Sequence, residues 1–381
     1  MPTIEFIDSV SALNDFCQHI FDAPWLAIDT EFMREKTYYP KFCLLQVATP
    51  EQVACIDPIA LEGELAPLFE IINNPNIIKV LHASRQDIEI FYQLTGKIPS
   101  PIYDTQVAAP LLGHQENAGY AMLVSGMLNI NLSKVQTRTD WAKRPLSKEQ
   151  IDYAADDVVY LGKIYQIMHA KLVALGRDKW LEDDFKQLTR PELYAIEDDK
   201  AWLRIKGKNK LTGKQLAILK ALAEWREKLA KQSDLPKNWI VRDDALLDMA
   251  RLQPKNNHEL SQLRSISDGF LRRNGKAACD IVKQSQDLSL SLDDKPNKAK
   301  KTLHQEAIVD VLMGWVRMRA DENALNPVSL ATRKDLEALV ANEADCVLKT
   351  GWRYGMIGRE LEQILQGTLK LSVDDNTLVL Q

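Results

Sequence analysis

An apolar run near the start of the chain, residues 25–32, contains two acids that stand two positions apart. Side chains i and i+2 of a β-strand lie on the same face, so Asp29 and Glu31 are predicted to point the same way. Ile28 and Thr30 would point the other way. Neighbouring carboxylates raise each other's pKa, and a divalent cation that prefers oxygen ligands would relieve their repulsion. A lone pair of this kind is more simply explained by an exposed strand end, so a metal site needs further acids.

The length, charge and cysteine content of the chain limit the classes of protein it can be. With 381 residues it exceeds the usual size of one hydrophobic core, which predicts two or three domains. No apolar run approaches the roughly 20 residues of a membrane span, and residues 1–10 carry acids where a secretory signal is basic, so we expect no membrane partner.

Five scattered cysteines without C-x-x-C spacing argue against a disulfide framework or a zinc site and favour the cytoplasm. The net charge of −5 argues against nonspecific coating of nucleic acid.

The first part of the chain, to about residue 190, mixes strand and helix patterns. We predict strands over 25–32, 42–48, 52–56 and 77–82, and helices over 9–21, 65–73 and 87–95. The first three strands follow closely, as in a meander, and strands then alternate with helices. This order predicts a mixed sheet flanked by helices.

Two further acids stand where helices are predicted to begin. Asp87 follows the strand pattern of residues 79–83 and a short turn, so its carboxylate could reach the edge of the sheet. Its alternative role is to cap the helix or to complement its dipole, worth about 0.5–2 kcal/mol. Asp104 opens another helix, and we interpret it as a helix cap.

The last acid of interest lies on a helix that is predicted to begin after Ser147. Ser147 and Gln150 form a capping-box pattern. Tyr153 and Asp157 then lie one turn apart on one face, whereas Asp156 lies about 100° round the helix and faces elsewhere. On an ordinary helix such a tyrosine is simply part of the core, so this pair gains weight only in combination with the other acids.

Together, these acids resemble a known set of motifs. Residues 29–32, 82–87 and 153–157 resemble the three exonuclease motifs of the DEDD superfamily, in the variant with tyrosine in the third motif. Four further segments are similar to the ribonuclease D family in particular: 36–40, 103–106, 137–141 and 144–146. The resemblance covers about residues 4 to 190.

The resemblance implies an RNase H-like fold and 3′-to-5′ hydrolysis of RNA to nucleoside 5′-monophosphates with two divalent metal ions, Mg²⁺ or Mn²⁺. It assigns Asp29 to both ions, Glu31 and Asp157 to the ion that carries the attacking water, and Asp87 to the second ion. Tyr153 would orient that water, because a phenol with an ordinary pKa near 10 is a better hydrogen-bonding group than a base at neutral pH. Phe32 and His82 are left outside this catalytic set.

The resemblance also implies partners. RNA is the expected substrate, in particular tRNA precursors and structured RNA 3′ ends in the cytoplasm, and no obligate protein partner is evident. Two alternatives stay open from the residues: a DNA exonuclease of the proofreading or Werner-like type, which uses the same acids, and a non-catalytic nucleic-acid-binding scaffold. A decayed nuclease would lack an acid, and all four acids are present.

Beyond residue 191 the strand pattern stops and helical periodicity takes over. A shift of 90 residues superimposes two apolar patterns, pairing Leu222 with Leu312 and Trp225 with Trp315. We therefore expect an α/β plus all-α chain: an RNase H-like mixed-sheet exonuclease domain followed by two small helical bundle domains. The predicted divisions are 1–190 for the exonuclease, 191–210 for a basic connector, 211–289 for the first helical domain, 290–301 for a polar linker and 302–381 for a divergent second helical domain.

The first helical domain is similar to the helicase-and-RNase-D C-terminal domain, a nucleic-acid-binding module. Its Arg272, Arg273 and Lys276 are predicted to flank the turn before the last helix of the domain. A helix N-terminus favours anions, so these residues could contact phosphate. A solvated basic surface explains them equally well.

Overall fold

A computed structural model of the chain describes residues 3–132, 139–195, 197–290, 302–375 and 377–381. Most of the predicted linker over 290–301, and Thr137 and Arg138 of one family-like segment, lie outside these residues. None of the helices in the described ranges is both long and apolar enough to span a bilayer.

The sheet of the first part of the chain is mixed, as predicted. Its strands are β1 (Ile4–Ile7), β2 (Trp25–Met33), β3 (Lys41–Ala48), β4 (Val53–Ile56), β5 (Ile78–Leu81) and β6 (Ile102–Asp104). They are ordered β1-β4-β3-β2-β5-β6. The β3–β4 pair is antiparallel, whereas β1–β4, β2–β5 and β5–β6 are parallel. The predicted meander of β2, β3 and β4 is confirmed, while β1 and β6 were not predicted from the sequence.

Seven α-helices accompany this sheet in the described part of residues 3–190. They are α1 (Val10–Ile20), α2 (Ala66–Ile72), α3 (Arg85–Thr95), α4 (Thr105–Ala108), α5 (Tyr120–Leu128), α6 (Lys148–Ala174) and α7 (Glu182–Leu188). Short 3₁₀ helices span Ala109–Leu112 and Asp178–Leu181. The longest helix, α6, begins at the capping box that Ser147 and Gln150 were predicted to form.

Helix α6 packs closely against the first residue of β2. A Cβ added to Gly162 of α6 would lie 2.7 Å from the Trp25 ring, so only glycine fits at this approach. One turn further, Tyr165 meets the same ring edge-on at a centroid distance of 5.7 Å. These contacts fix the register of α6 along β2 and so decide where the preceding turns of the helix lie.

The helices after residue 191 repeat at the predicted interval of 90 residues. They are α8 (Gly213–Gln232), α9 (Lys237–Ile240), α10 (Asp243–Leu252), α11 (Asn257–Ser261), α12 (Asp268–Gln284), α13 (Leu303–Glu322), α14 (Pro327–Leu330), α15 (Arg333–Val340), α16 (Gly351–Arg353) and α17 (Arg359–Leu365). A stretch of 3₁₀ helix spans Asp198–Arg204, and a π-helical turn spans Tyr354–Gly358. Capping boxes begin both α8, at Thr212, and α13, at Thr302.

By its contacts the chain forms two compact units. The first contains the described residues of 1–31, 43–190 and 300–381, and the second those of 32–42 and 191–299. The predicted connector contributes Trp202 and Ile205 to the core of the second unit, next to Leu222 and Phe270. The predicted domain boundaries themselves remain predictions.

Two expectations for the C-terminal part are wrong. The strand pattern does not end at residue 191, because β7 (Leu371–Asp374) and β8 (Thr377–Leu380) form an antiparallel pair. Strands of four residues, Leu-Ser-Val-Asp and Thr-Leu-Val-Leu, are too short to stand out from a helical background.

The last helix of the first helical domain also begins earlier than predicted. The hydroxyl of Ser267 accepts a hydrogen bond from the Phe270 amide, so α12 begins at Asp268. Arg272, Arg273 and Lys276 therefore lie within the helix and not at its N-terminus. Gly275, between these basic residues, lies inside the helix and allows close packing, because an added Cβ would lie 2.6 Å from Oδ1 of Asn257.

Candidate metal centre

Three acids from two elements that are far apart in the sequence meet beside β2. Carboxylate oxygens of Asp29, Glu31 and Asp157 all lie within 4.8 Å of one another, and each of the three residues is partly buried. The i, i+2 spacing on β2 supplies the first two, and α6 brings the third. Oxygen donors at this spacing fit a hard divalent cation.

The fourth acid, Asp87, lies in the first turn of α3 and is 7% exposed. Its Oδ1 accepts a 2.5 Å hydrogen bond from the hydroxyl of Thr30, which lies between Asp29 and Glu31 on β2. Asp87 is not the cap of α3: that position belongs to Ser84, which makes no side-chain capping bond. Asp87 therefore approaches the acids on β2 but lies outside the group of three.

The pKa values of the acids show how strongly burial and mutual repulsion act on them. Burial raises the pKa of Asp29 to about 7. Burial, followed by the charges of the other three acids, raises the pKa of Glu31 to about 9. Burial, then Asp29, raises the pKa of Asp157 to about 8, and the same two causes raise the pKa of Asp87 well above its ordinary range. Positive charge placed among these carboxylates would remove both the burial penalty and the repulsion.

Tyr153 lies one helical turn before Asp157, as the periodicity of α6 predicted. Burial, then the charges of Asp157, Glu31 and Asp29, raises its pKa to about 12. Its ring faces that of Trp141 at a centroid distance of 6.4 Å. Tyr153 therefore keeps its hydroxyl proton at neutral pH beside the three acids.

The turn that delivers Asp87 is braced by Asp104. The carboxylate of Asp104 accepts hydrogen bonds from the Ala83 and Ser84 amides at 3.1 and 2.8 Å. It also accepts from the Gln106 amide at the start of α4, at 2.8 Å. The interpretation of Asp104 as a helix cap is confirmed, and its second task is to fix the turn between β5 and α3.

Two residues near the site were not found, or not placed, from the sequence. Tyr120, at the start of α5, donates its hydroxyl hydrogen bond to the backbone carbonyl of Asp157, and burial raises its pKa well above the ordinary range. No sequence pattern marks it, because its partner lies 37 residues away. His82 contacts Oγ1 of Thr105 at 2.9 Å through Nδ1 and lies 5.4 Å from the Tyr120 ring. His82 is thus held by a hydrogen bond directly after the end of β5.

Arg144 fixes the chain just before α6. Its guanidinium donates to both carboxylate oxygens of Asp57, at 2.5 and 2.8 Å, and to the Cys43 carbonyl at 2.6 Å. The Asp57 carboxyl is 2% exposed, so this two-pronged ion pair is well shielded from water. Arg144 is therefore a structural residue that positions the start of the helix carrying Tyr153 and Asp157.

Comparisons with known proteins agree with this geometry. The family described as 3′-5′ exonuclease matches residues 4–173, and the HRDC domain matches residues 215–282. Ribonuclease D of Bartonella henselae is 36% identical over 357 residues, which cover 91% of this chain and 86% of the relative. Ribonuclease D of Sphingobium indicum is 36% identical over 98% of this chain and 97% of its own length. The chain belongs to the ribonuclease D family.

Solved structures support the same assignment. The crystal structure of Escherichia coli RNase D, described as an exoribonuclease involved in structured RNA processing, matches with a TM-score of 0.80 and 30% identity, over 96% of this chain and 99% of that one. The expected RNase H-like exonuclease fold with a helical C-terminal part is thus confirmed. As a member of the ribonuclease D family, the protein is a hydrolytic 3′-5′ exoribonuclease with RNA as substrate. This agreement favours an exoribonuclease over a DNA exonuclease or a non-catalytic scaffold.

Proposed function

We propose that Asp29, Glu31, Asp87 and Asp157 hold two divalent cations, Mg²⁺ or Mn²⁺, and that RNA is hydrolysed beside them to nucleoside 5′-monophosphates. The observation that carries this proposal is the group of three carboxylates within 4.8 Å, with Asp87 anchored to the same strand. Bound divalent cations supply activation of the attacking water and neutralisation of the leaving oxygen. The donor set is all oxygen, as these hard ions require.

The protein's own groups then have distinct tasks. Tyr153 positions water by hydrogen bonding, since a pKa of about 12 keeps its hydroxyl protonated at neutral pH. Tyr120 holds the backbone of Asp157 and so fixes the carboxylate that the helix presents. Thr30 holds Asp87 against the strand that carries the other two acids.

The test replaces Asp29 with asparagine, which preserves shape and removes the charge. Asp29→Asn is expected to lower turnover of a single-stranded RNA oligonucleotide by at least about 1000-fold at saturating Mg²⁺ or Mn²⁺, because one ligand is expected to contact both ions. Asp152→Asn on the exposed face of α6 is the matched control and should retain the parental rate. A near-parental rate for Asp29→Asn would overturn the proposed role of the acids. The same assay on a DNA oligonucleotide of matched sequence measures the preference for the ribose 2′-hydroxyl.

We further propose that the enzyme trims the 3′ ends of tRNA precursors and other structured RNAs in the cytoplasm. The proposal is supported by membership of the ribonuclease D family and by the structured-RNA role described for the E. coli relative. Incubation with a tRNA precursor that carries a 3′ trailer should shorten the trailer one nucleotide at a time and stop near the mature end. Degradation that proceeds through the folded tRNA body, or no trimming at all, would contradict it.

We also propose that the exposed basic residues of α12 dock the RNA. Arg272, Arg273 and Lys276 are all exposed on one helix within the matched HRDC region. Their replacement by glutamine should raise KM for a structured RNA. It should also weaken the salt dependence of binding: the slope of log affinity against log salt concentration should become shallower by roughly 0.7 for each phosphate that is no longer neutralised. Replacement of Lys214, Lys228 and Lys255, which are exposed elsewhere on the same unit, removes the same charge and should have a smaller effect.

A further inference from the structure

The segment that links β2 to β3 belongs to the second compact unit, although both strands lie in the sheet. Residues 32–42 group with residues 191–299, and the preceding residue, Glu31, belongs to the first unit. The boundary between the units therefore falls inside β2, directly after one of the acids of the candidate metal centre. Glu31 is joined by a peptide bond to Phe32, the first residue of this segment.

The segment is held by Glu227, inside α8, and by Asp234, beyond the end of that helix. The Tyr38 hydroxyl donates a 2.5 Å hydrogen bond to Oε1 of Glu227. The Tyr38 and Tyr39 amides both donate to Oδ1 of Asp234, at 3.0 and 3.1 Å. The Thr37 hydroxyl donates to the Tyr39 carbonyl at 2.6 Å and closes the turn from within. Three hydrogen bonds thus fix two consecutive residues across some 190 positions of sequence.

Burial makes the bond to Glu227 significant. The Glu227 residue is only 3% exposed, and a carboxylate in such surroundings is costly unless a donor satisfies it. Burial, then the hydrogen bond to Glu227, raises the pKa of Tyr38 above its ordinary value, so the hydroxyl remains a donor. The neighbouring Arg226 is 1% exposed, and its guanidinium donates hydrogen bonds to Asp243 at 2.7 Å and to the Val241 carbonyl at 3.0 Å.

Asp234 adopts a backbone conformation that suits its task. Its φ of +46° lies in the left-handed region, which aspartate and asparagine tolerate better than most residues. This conformation ends α8 and presents one carboxylate oxygen to two successive amides, an arrangement that fixes the backbone of the segment and not only a side chain.

The two ends of the segment lead to the candidate metal centre. The residues of β2 that pair with β5 are Trp25 to Ala27. Asp29 and Glu31 therefore lie beyond the part of β2 that pairs with β5. At the other end, the Cys43 carbonyl accepts from Arg144, which precedes α6 and its Asp157. Glu31 directly precedes the segment, and Cys43 directly follows it.

We propose that Glu227 and Asp234 are positioning residues for the nuclease reaction: they hold residues 32–42 and, through the backbone of β2, set the position of Glu31. The first helical domain then contributes to turnover and not only to RNA capture. This inference rests on the proposed role of Glu31 as a metal ligand.

The experiment compares Tyr38→Phe and Asp234→Ala in the full-length protein, on a single-stranded RNA oligonucleotide too short to need the helical domains, at saturating Mg²⁺ or Mn²⁺. Both variants should lower kcat by roughly tenfold with KM nearly unchanged, because a displacement of reacting groups by about 1 Å can cost on the order of 100-fold. Glu227→Gln and Asp234→Asn each keep an acceptor oxygen and should retain most of the parental kcat. A purely structural role would not produce this split between kcat and KM or the rescue by the amides.

Each other outcome is decisive. A parental kcat for Tyr38→Phe and Asp234→Ala overturns the inference, and so does a rise in KM alone, which would assign the segment to RNA binding. If Asp234→Ala does not fold, Tyr38→Phe, which removes one oxygen, decides by itself. Asp29→Asn is measured in parallel: if it abolishes turnover while the two variants stay active, only the positioning role fails, whereas an active Asp29→Asn removes the proposed metal centre itself.

Discussion

The hydroxyl of Thr30 donates a 2.5 Å hydrogen bond to Oδ1 of Asp87 and so ties α3 to the strand position between Asp29 and Glu31. Thr30→Val keeps the shape of the side chain and removes this bond. A hydrogen bond to a carboxylate favours its charged form, so its loss raises the pKa of Asp87 further and lets protons compete better with a cation.

We therefore expect Thr30→Val to raise the metal concentration at half-maximal rate by roughly ten- to hundredfold, in line with about 1.5–3 kcal/mol for a hydrogen bond to a charged group. The effect should be larger at pH 6 than at pH 8. Thr95→Val, at the other end of α3, removes a hydroxyl that donates to the Phe91 carbonyl and serves as the control. Equal metal dependence of Thr30→Val and the parent would show that Thr30 does not support Asp87.

The raised pKa values of the acids predict how the metal-free protein responds to pH. A carboxyl whose pKa is higher in the folded than in the unfolded state binds its proton more tightly when folded, so its contribution to stability is lost as pH rises through the folded pKa. The pKa values in the folded protein are about 7, 9 and 8 for Asp29, Glu31 and Asp157. Because the pKa of a carboxyl in the unfolded chain is about 4, stability should change with pH between about pH 4 and pH 9.

Denaturant unfolding in EDTA should therefore show a free energy of unfolding that falls between pH 5 and pH 9. Glu31→Gln cannot ionise at that position and should show a shallower fall than the parent. Saturating Mg²⁺ should flatten the curve of the parent, because the cation stabilises the ionised acids. A metal-free curve that is flat over this range would contradict the raised pKa values.

Cation binding should also release protons at neutral pH. Because acids with pKa values of about 7 to 9 are protonated in part or in full at pH 7, a cation that binds their ionised forms must displace protons. Calorimetric titration with Mn²⁺ in two buffers of different ionisation enthalpy should give different apparent heats, and the difference should shrink at pH 9.5. Identical heats in the two buffers at pH 7 would mean that no proton is released.

Sequence periodicity located the acids but not what holds them. A spacing of two residues on β2 placed Asp29 and Glu31 on one face, and a spacing of four on α6 did the same for Tyr153 and Asp157. Local geometry alone fixes which side chains share a face. Long-range partners carry no such pattern: Tyr38 meets Glu227 over 189 positions. The start of α12 was misjudged for a related reason, since Gly275 looks like a helix boundary until Asn257 is seen packed against it.

The C-terminal residues from 302 on belong to the same compact unit as the exonuclease sheet, an association that the sequence did not indicate. Arg177, after α6, donates to the Leu111 carbonyl at 3.0 Å and to the Asn323 carbonyl at 2.6 Å. Nearby, the rings of Trp180 and Trp352 stack with centroids 4.4 Å apart. These contacts join the residues that follow the long helix α6 to the end of α13 and to α16.

Arg177→Met should therefore destabilise the protein without changing its chemistry. Arg177 is 7% exposed, so its loss leaves two carbonyls in a shielded interface without their donor, at a cost of about 1–3 kcal/mol each. The thermal midpoint should fall by several degrees, roughly 2–4 °C per kcal/mol for a domain of this size, while kcat on a short RNA stays at the parental value because Arg177 is not among the site residues. Arg190→Met, which removes an exposed arginine of the same unit, should leave the midpoint unchanged. If Arg177→Met matches that control, the second helical domain is not held to the exonuclease by this arginine.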